Sequence, residues 1–532
     1  MSDTGARRKS GSDRREARDQ QERKEQKKVR LIAIVVVIVM VILFLAAFTI
    51  NSKFIRRVVT VLTIDGVNFT AAEFDYYYNN AVFEYSSMIS EQLGEDYARE
   101  YLPTGDRPHS SQIYDEETGE TWAIFFGKIA IERLSELVSY HKDAERNGYV
   151  MTEETRQSVD DEINTLRMYA GDRSFDTFLQ EYYGSAINEK LFRKIAEYID
   201  MAAAYAEHVH DSFTYATPDL KAYYAENKDS LDIFSYRYYV MYPETLDEAD
   251  FDSTEEYENA QEAALADTFA LALEIAEGID SEEAFIEAAR EYNEDMYEDD
   301  DSTLRNNQGE ALGDIYGPWL RDSQREYGDA YGFEMTSGAY VVFYISREDN
   351  SYSMVEMRQL LFLREETDEQ DFYEYDELDP EDYYFDEEAY DQAVEMRDSI
   401  ARGRAQDAYE AFLAGGATEE MLLGMIGDYS DDTTEGGFYD KISKYQYQNK
   451  LVPEIEEWLF EPGRQVGDYE LIYTEAFGYH LIYFMGYGQQ LCDHIADGRM
   501  RENDYNAWKE NLPPPVSDEH WGMLLTQRRG RS

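Results

Sequence analysis

Cysteine is almost absent from this chain. Cys492 is the only one in 532 residues, so no disulfide can form within the molecule and packing alone must hold it together. Basic side chains are also scarce, 49 Lys and Arg against 112 Asp and Glu, a net charge of −63. A charge of that sign argues against nucleic acid or an anionic lipid surface as partner. It fits solubility in a polyanionic exterior, and an acidic proteome gives the same balance. The common catalytic signatures are missing as well: no GxxxxGK phosphate loop, no GxSxG elbow, no HExxH and no CxxC. His208 and His210 stand two apart on an expected helix and diverge. The acidic runs Glu298–Asp301 and Glu377–Glu388 lack the glycine and terminal glutamate of a calcium loop and read as solvated loops. No cofactor and no metal are expected.

What is present begins with an apolar run. Residues 31–50 read LIAIVVVIVMVILFLAAFTI, uncharged and long enough to span a bilayer as a helix. The 30 residues before it hold 11 basic and six acidic side chains, about +5, which leaves about −68 on the rest. The positive-inside rule then predicts a basic cytoplasmic tail (1–30), a transmembrane anchor (31–50) and everything after it outside the cell membrane. A cleaved signal peptide is the competing reading. No cysteine follows the run to carry a lipid.

Beyond it, residues 58–232 are expected to be mostly helical with one short strand over 58–64. Thr70, with Glu73 three residues on, forms a capping box ahead of Phe74, Tyr77, Tyr78 and Ala81 at helical spacing. That cap also accounts for the sequon Asn68-Phe69-Thr70. Strand-type runs then appear at Tyr236–Met241, Ala339–Ile345, Val355–Leu363 and Tyr479–Met485, with helical stretches between.

These strands belong to an internal repeat. Trp319-Leu320, Arg325 and Gly328-Asp329 recur as Trp458-Leu459, Arg464 and Gly467-Asp468, every one at the same offset. One residue of slippage then aligns Gly338–Val342 with Gly478–Ile482. Two copies of one α+β unit are expected, at 233–350 and 351–488, followed by a helical tail over 489–532. The two tryptophans read as core.

The second copy reads Met357-Arg358-Gln359-Leu360-Leu361-Phe362, then Tyr429-Ser430-Asp431-Asp432, Glu435-Gly436-Gly437, Leu451-Val452-Pro453-Glu454-Ile455-Glu456-Glu457-Trp458-Leu459-Phe460 and Phe477-Gly478-Tyr479-His480-Leu481-Ile482. This resembles the parvulin family of peptidyl-prolyl isomerases, whose marks are an R-H-I-L strand, a Y-S-x-D loop, a G-G turn, an M-V-P-x-F-E helix and a final F-G-Y-H-I-I strand. The segment Thr63–Thr70, and the helical block with Lys142-Asp143-Ala144-Glu145 leading to Gly148-Tyr149, are similar to the opening of SurA- and PrsA-type foldases. The resemblance implies an α+β chain made of an N-terminal transmembrane helix, a mostly helical chaperone domain and two parvulin-like modules, the first degenerate.

It also implies roles. His480 matches the terminal family histidine, and Asp432 stands at the family's Asp or Cys, with Asp431 able to take that place after a small shift. Gln359 replaces the first histidine and can hydrogen-bond but not titrate. Leu451, Ile455 and Phe460 fall at the pocket positions for the proline ring, where Leu451 replaces Met and Ile455 replaces Phe. In the first copy Tyr238 and Tyr340 fall at the two histidine positions. Taken alone, His480 reads as a buried, satisfied histidine; only the F-G-Y-H context gives it a role.

Rotation about an X-Pro bond meets a barrier of about 18–20 kcal/mol and needs an apolar seat and a few polar groups, with no nucleophile or metal. The implied function is a membrane-anchored extracytoplasmic foldase. It acts on unfolded or partly folded exported polypeptides, with isomerisation assigned to the second module. A non-catalytic holdase, or an envelope scaffold using the same folds, is the alternative.

Overall fold

The computed structural model describes residues 34–41, 52–375, 383–444, 451–520, 523 and 526. They divide into two compact units, residues 1–213 with 504–532, and residues 214–503.

The first unit starts from a hairpin, β1 (Thr60–Ile64) and β2 (Val67–Thr70), turned at Asp65-Gly66 with both residues at positive φ. Thr70 then caps α1 (Ala71–Leu93). Its hydroxyl accepts from the Glu73 N–H, and the Glu73 carboxylate accepts from the Thr70 N–H at 2.7 Å, a complete capping box. The main helices that follow are α2 (Trp122–Arg146), α3 (Glu153–Ala170), α4 (Phe175–Tyr182) and α5 (Glu189–Ser212). Phe74, Tyr78, Phe126, Leu134, Val159, Ile163 and Phe192 meet in one buried core. Their three- and four-residue spacing on each helix is the sequence cause of that core. Residues 504–532, read from the sequence as part of a separate tail, belong to this unit. Ser517–Glu519 pairs antiparallel with β1, and His520 donates its N–H to the Val61 carbonyl at 2.8 Å.

The second unit carries two four-stranded sheets of one topology. In the first, β3 (Ile233–Met241), β4 (Leu304–Gln308), β5 (Ala330–Met335) and β6 (Gly338–Glu348) lie in the order β4-β3-β6-β5. In the second, β7 (Ser353–Leu363), β8 (Phe438–Ile442), β9 (Tyr469–Thr474) and β10 (Gly478–Gln490) lie in the order β8-β7-β10-β9. All neighbours in both are antiparallel.

The repeated residues explain the shared topology. Arg325 lies over the Trp319 ring and Arg464 over Trp458. In each copy the next Gly adopts positive φ and donates its N–H into the last strand, Gly328 to Tyr344 and Gly467 to Phe484. The following aspartate then accepts from a backbone N–H three positions back, Asp329 from Glu326 and Asp468 from Gln465. One turn, specified twice, sets the entry to the closing hairpin.

The expected architecture needs one correction. Among the described residues no helix is long and apolar enough to cross a membrane. Of the run 31–50, only residues 34–41 are described as helix. The rest of the expected anchor, and the basic tail 1–30, lie outside the described residues. The transmembrane helix is therefore withdrawn from the fold class, which stands as mixed helix and strand.

Candidate functional site in the second repeat

Alternation along three adjacent strands brings the site together. On β7, Val355, Met357 and Gln359 point to one face. On β10, His480, Ile482 and Phe484 do the same, as do Ile472 and Thr474 on β9. The opposite face carries Leu360, Phe362 and Leu481 against the helices Glu387–Ala414 and Glu419–Tyr429, α8 and α9 in chain order after α6 (Thr254–Gly278) and α7 (Glu282–Tyr292). The face opposite α8 and α9 therefore holds both the polar residues and an apolar cluster.

The polar residues form a continuous chain. Gln359 Nε2 donates to Asp432 Oδ2 at 2.8 Å and to the Tyr439 hydroxyl at 3.2 Å. That leaves its carbonyl oxygen 3.0 Å from His480 Nδ1. His480 Nδ1 must then carry the proton, and Nε2 accepts from the Thr474 hydroxyl at 3.0 Å. Tyr439 also donates to Asp432 at 2.9 Å and meets the Thr434 hydroxyl at 2.9 Å. Burial pushes the His480 imidazolium down to about 4, against the opposing charge of Asp432, so the ring is neutral at pH 7. Burial would raise the Asp432 carboxyl. The Thr434 N–H and the side chains of Gln359, Thr434 and Tyr439 outweigh it and hold the group below its ordinary value.

Asp431 goes elsewhere. Arg404 grips its two oxygens at 2.8 Å each, and its carboxylate accepts from the Leu363 N–H at 2.9 Å. Asp432, not Asp431, joins Gln359 and His480.

The three expected pocket residues gather beside this chain. The helix Pro453–Leu459 (α10) lays Ile455 against Val355, Met357, Trp458, Ile482 and Phe484, with Leu451 and Phe460 half-buried at the rim. Proline at the first turn and the amphipathic sequence that follows place this helix. Tyr439 packs on the same cluster and so joins its polar and apolar parts. His480 is 4% exposed and Gln359 7%. The accessible edge consists of Asp432, Thr434, Tyr439, Leu451 and Phe460, all half-buried.

Sequence reasoning missed Thr474 and Tyr439. Thr474 sits opposite Gly478 at the hairpin end, and period-two alternation from Ile472 places it on this face. Tyr439 follows the Gly436-Gly437 turn and pairs with Met357.

The first repeat replaces the chain with rings. Tyr238 pairs with Val342 as Gln359 pairs with Ile482, and Tyr340 takes the place of His480. Tyr316, which the repeat aligns with Ile455, packs on both, with centroids 5.9 Å and 5.3 Å away. Arg305 lies over Tyr238 at 4.9 Å. No imidazole or carboxylate in this cluster can move a proton at neutral pH. Among the described residues of the whole chain, no three or more His, Cys, Asp or Glu gather in a way that could hold a metal ion.

No protein-family model matches the sequence, and no curated protein matches it.

Proposed function

We propose that the chain is a foldase that holds partly folded exported polypeptides and isomerises X-Pro bonds in its second repeat. The observation that carries this reading is the hydrogen-bonded chain Thr474–His480–Gln359–Asp432–Tyr439 on the same sheet face as the Leu451–Ile455–Phe460 cluster. A twisting X-Pro amide needs an apolar seat for the ring and polar groups beside the rotating bond, and both are present there. No bond is made or broken. The first repeat, with tyrosines at the matching positions, serves binding and not turnover.

Burial favours a second reading. His480 and Gln359 are nearly sealed, and each polar atom among them has a partner. A closed, satisfied network also suits a module that only binds chains. Exchange spectroscopy by NMR on a short Ala-X-Pro peptide with catalytic amounts of the full-length protein separates the two. Accelerated cis/trans exchange, lost in His480→Ala with the fold intact, is expected. Exchange at the uncatalysed rate contradicts isomerisation and leaves holding.

A further inference from the structure

A groove crosses the C-terminal half of α5 within the first unit. It has two lobes that share Tyr149 and His208. The larger, about 960 Å³, is walled by Tyr149, Val150, Val209, Phe213 and Trp508. The smaller, about 630 Å³, is lined by the carboxylates of Glu154, Asp200, Glu207 and Asp211. Neither lining includes a lysine or an arginine.

Local structure makes the opening. The α2 helix ends at Arg146 with Asn147 as its cap, Gly148 takes positive φ, and the Tyr149 N–H returns to the Ala144 carbonyl at 2.9 Å. The chain then leaves with Val150 73% exposed on the rim. In the wall, Asp143 accepts from the Tyr205 hydroxyl at 2.7 Å and from the Trp508 indole N–H at 3.0 Å, which fixes the indole. Arg146, at the edge, is paired with Asp143 at 2.8 Å.

Size and charge together select the occupant. Each lobe is within the volume range of ordinary ligand sites. Along α5 the groove runs from Asp200 to Ser212, a helical rise of about 18 Å. That length matches five or six residues of extended chain at about 3.3 Å each. A lobe with large apolar walls and two carboxylates, Asp143 and Asp504, next to one lined by four carboxylates complements apolar side chains next to cationic ones.

We propose that this groove binds an extended segment of non-native polypeptide that carries Lys or Arg beside apolar side chains. The inference rests on the holding part of the function proposed above and names its site and substrate class.

The test uses the full-length protein and the fluorescence anisotropy of labelled dodecapeptides. A peptide alternating Leu and Lys should bind at least ten-fold more tightly than its Leu/Glu or Ser/Lys counterparts, and added salt should weaken it. Glu207→Lys with Asp211→Lys, both exposed, should weaken binding ten-fold or more at unchanged circular dichroism. Val150→Ser should weaken it several-fold. Equal binding by the charge-reversed variant, or by the Leu/Glu peptide, overturns the proposal. So does a change in that variant's solution mass, which would put a second copy of the chain in the groove. Suppression of client aggregation, measured in parallel, separates the two failures. If wild type and variant suppress it equally, only the groove assignment falls; if wild type neither suppresses it nor binds any peptide, the holding function falls too.

Discussion

His480 sits where a charge is costly. Its pKa of about 4 in the folded chain, against about 6.5 for an unfolded histidine, sets a direction for stability with pH. The unfolded chain takes up a proton as pH falls through 6.5, and the folded chain does not until about 4. Stability is therefore present above 6.5 and lost between 6.5 and 4, by on the order of 3 kcal/mol. The lowered Asp432 carboxyl acts in the same direction at the acid end. An NMR titration of the histidine Cε1 protons should show one resonance moving near pH 4, absent in His480→Ala. Gln359→Leu should strand His480 Nδ1 and take one donor from Asp432, which keeps the Thr434 N–H and the Tyr439 hydroxyl, at a cost of about 1–3 kcal/mol in urea unfolding. At this scale the sequence was partly legible. The F-G-Y-H run located His480, and the strand alignment located Gln359. The choice between Asp431 and Asp432 was not legible, because it depends on Arg404, which is distant in the chain and claims Asp431.

The repeat was legible at the scale of elements because its identities are structural. Arg464 stacks 3.9 Å from the Trp458 ring and donates to the Trp458 carbonyl at 2.7 Å and 3.0 Å. Arg325 lies farther from its ring, at 4.9 Å, and its Nε has no partner among the described residues. Arg464→Ala should therefore cost on the order of 2–3 kcal/mol, and Arg325→Ala distinctly less, in chemical denaturation. The glycine that opens the last strand is fixed in both copies by close approach. A Cβ on Gly338 would stand 2.0 Å from the Met241 carbonyl oxygen, and one on Gly478 would stand 2.6 Å from that of Phe362. Gly478 also holds φ at +111°. Either glycine changed to alanine should lower the melting temperature and disturb that strand's amide shifts. The strand Ser517–Glu519 gave no such signal. Three polar residues carry no alternation, and their partner β1 lies near the opposite end of the sequence.

For the whole molecule, composition was the weakest guide. The apolar run 31–50 was its plainest signal, yet among the described residues no helix is long and apolar enough to cross a membrane. The closure of the first unit came instead from its C-terminal residues. Asp65 and Val516 exchange two hydrogen bonds at 2.9 Å each, and the Thr63 hydroxyl lies 2.7 Å from His520 Nε2. Removing residues 513–532 should expose the Thr63 and Asp65 amides of β1 and its turn to solvent. Hydrogen exchange of β1 should then speed up by orders of magnitude while β7 and β10 keep their protection. A uniform loss in both units would contradict the division into two. The central claim is that a neutral, hydrogen-bonded histidine chain beside an apolar seat serves X-Pro isomerisation in a chain that also holds clients. The most direct measurement is the proline-limited refolding phase of an unfolded client, followed with substoichiometric full-length protein. The account predicts a faster slow phase in wild type and an unchanged one in His480→Ala. A slow phase unaltered by wild type, even at equimolar protein, would contradict it.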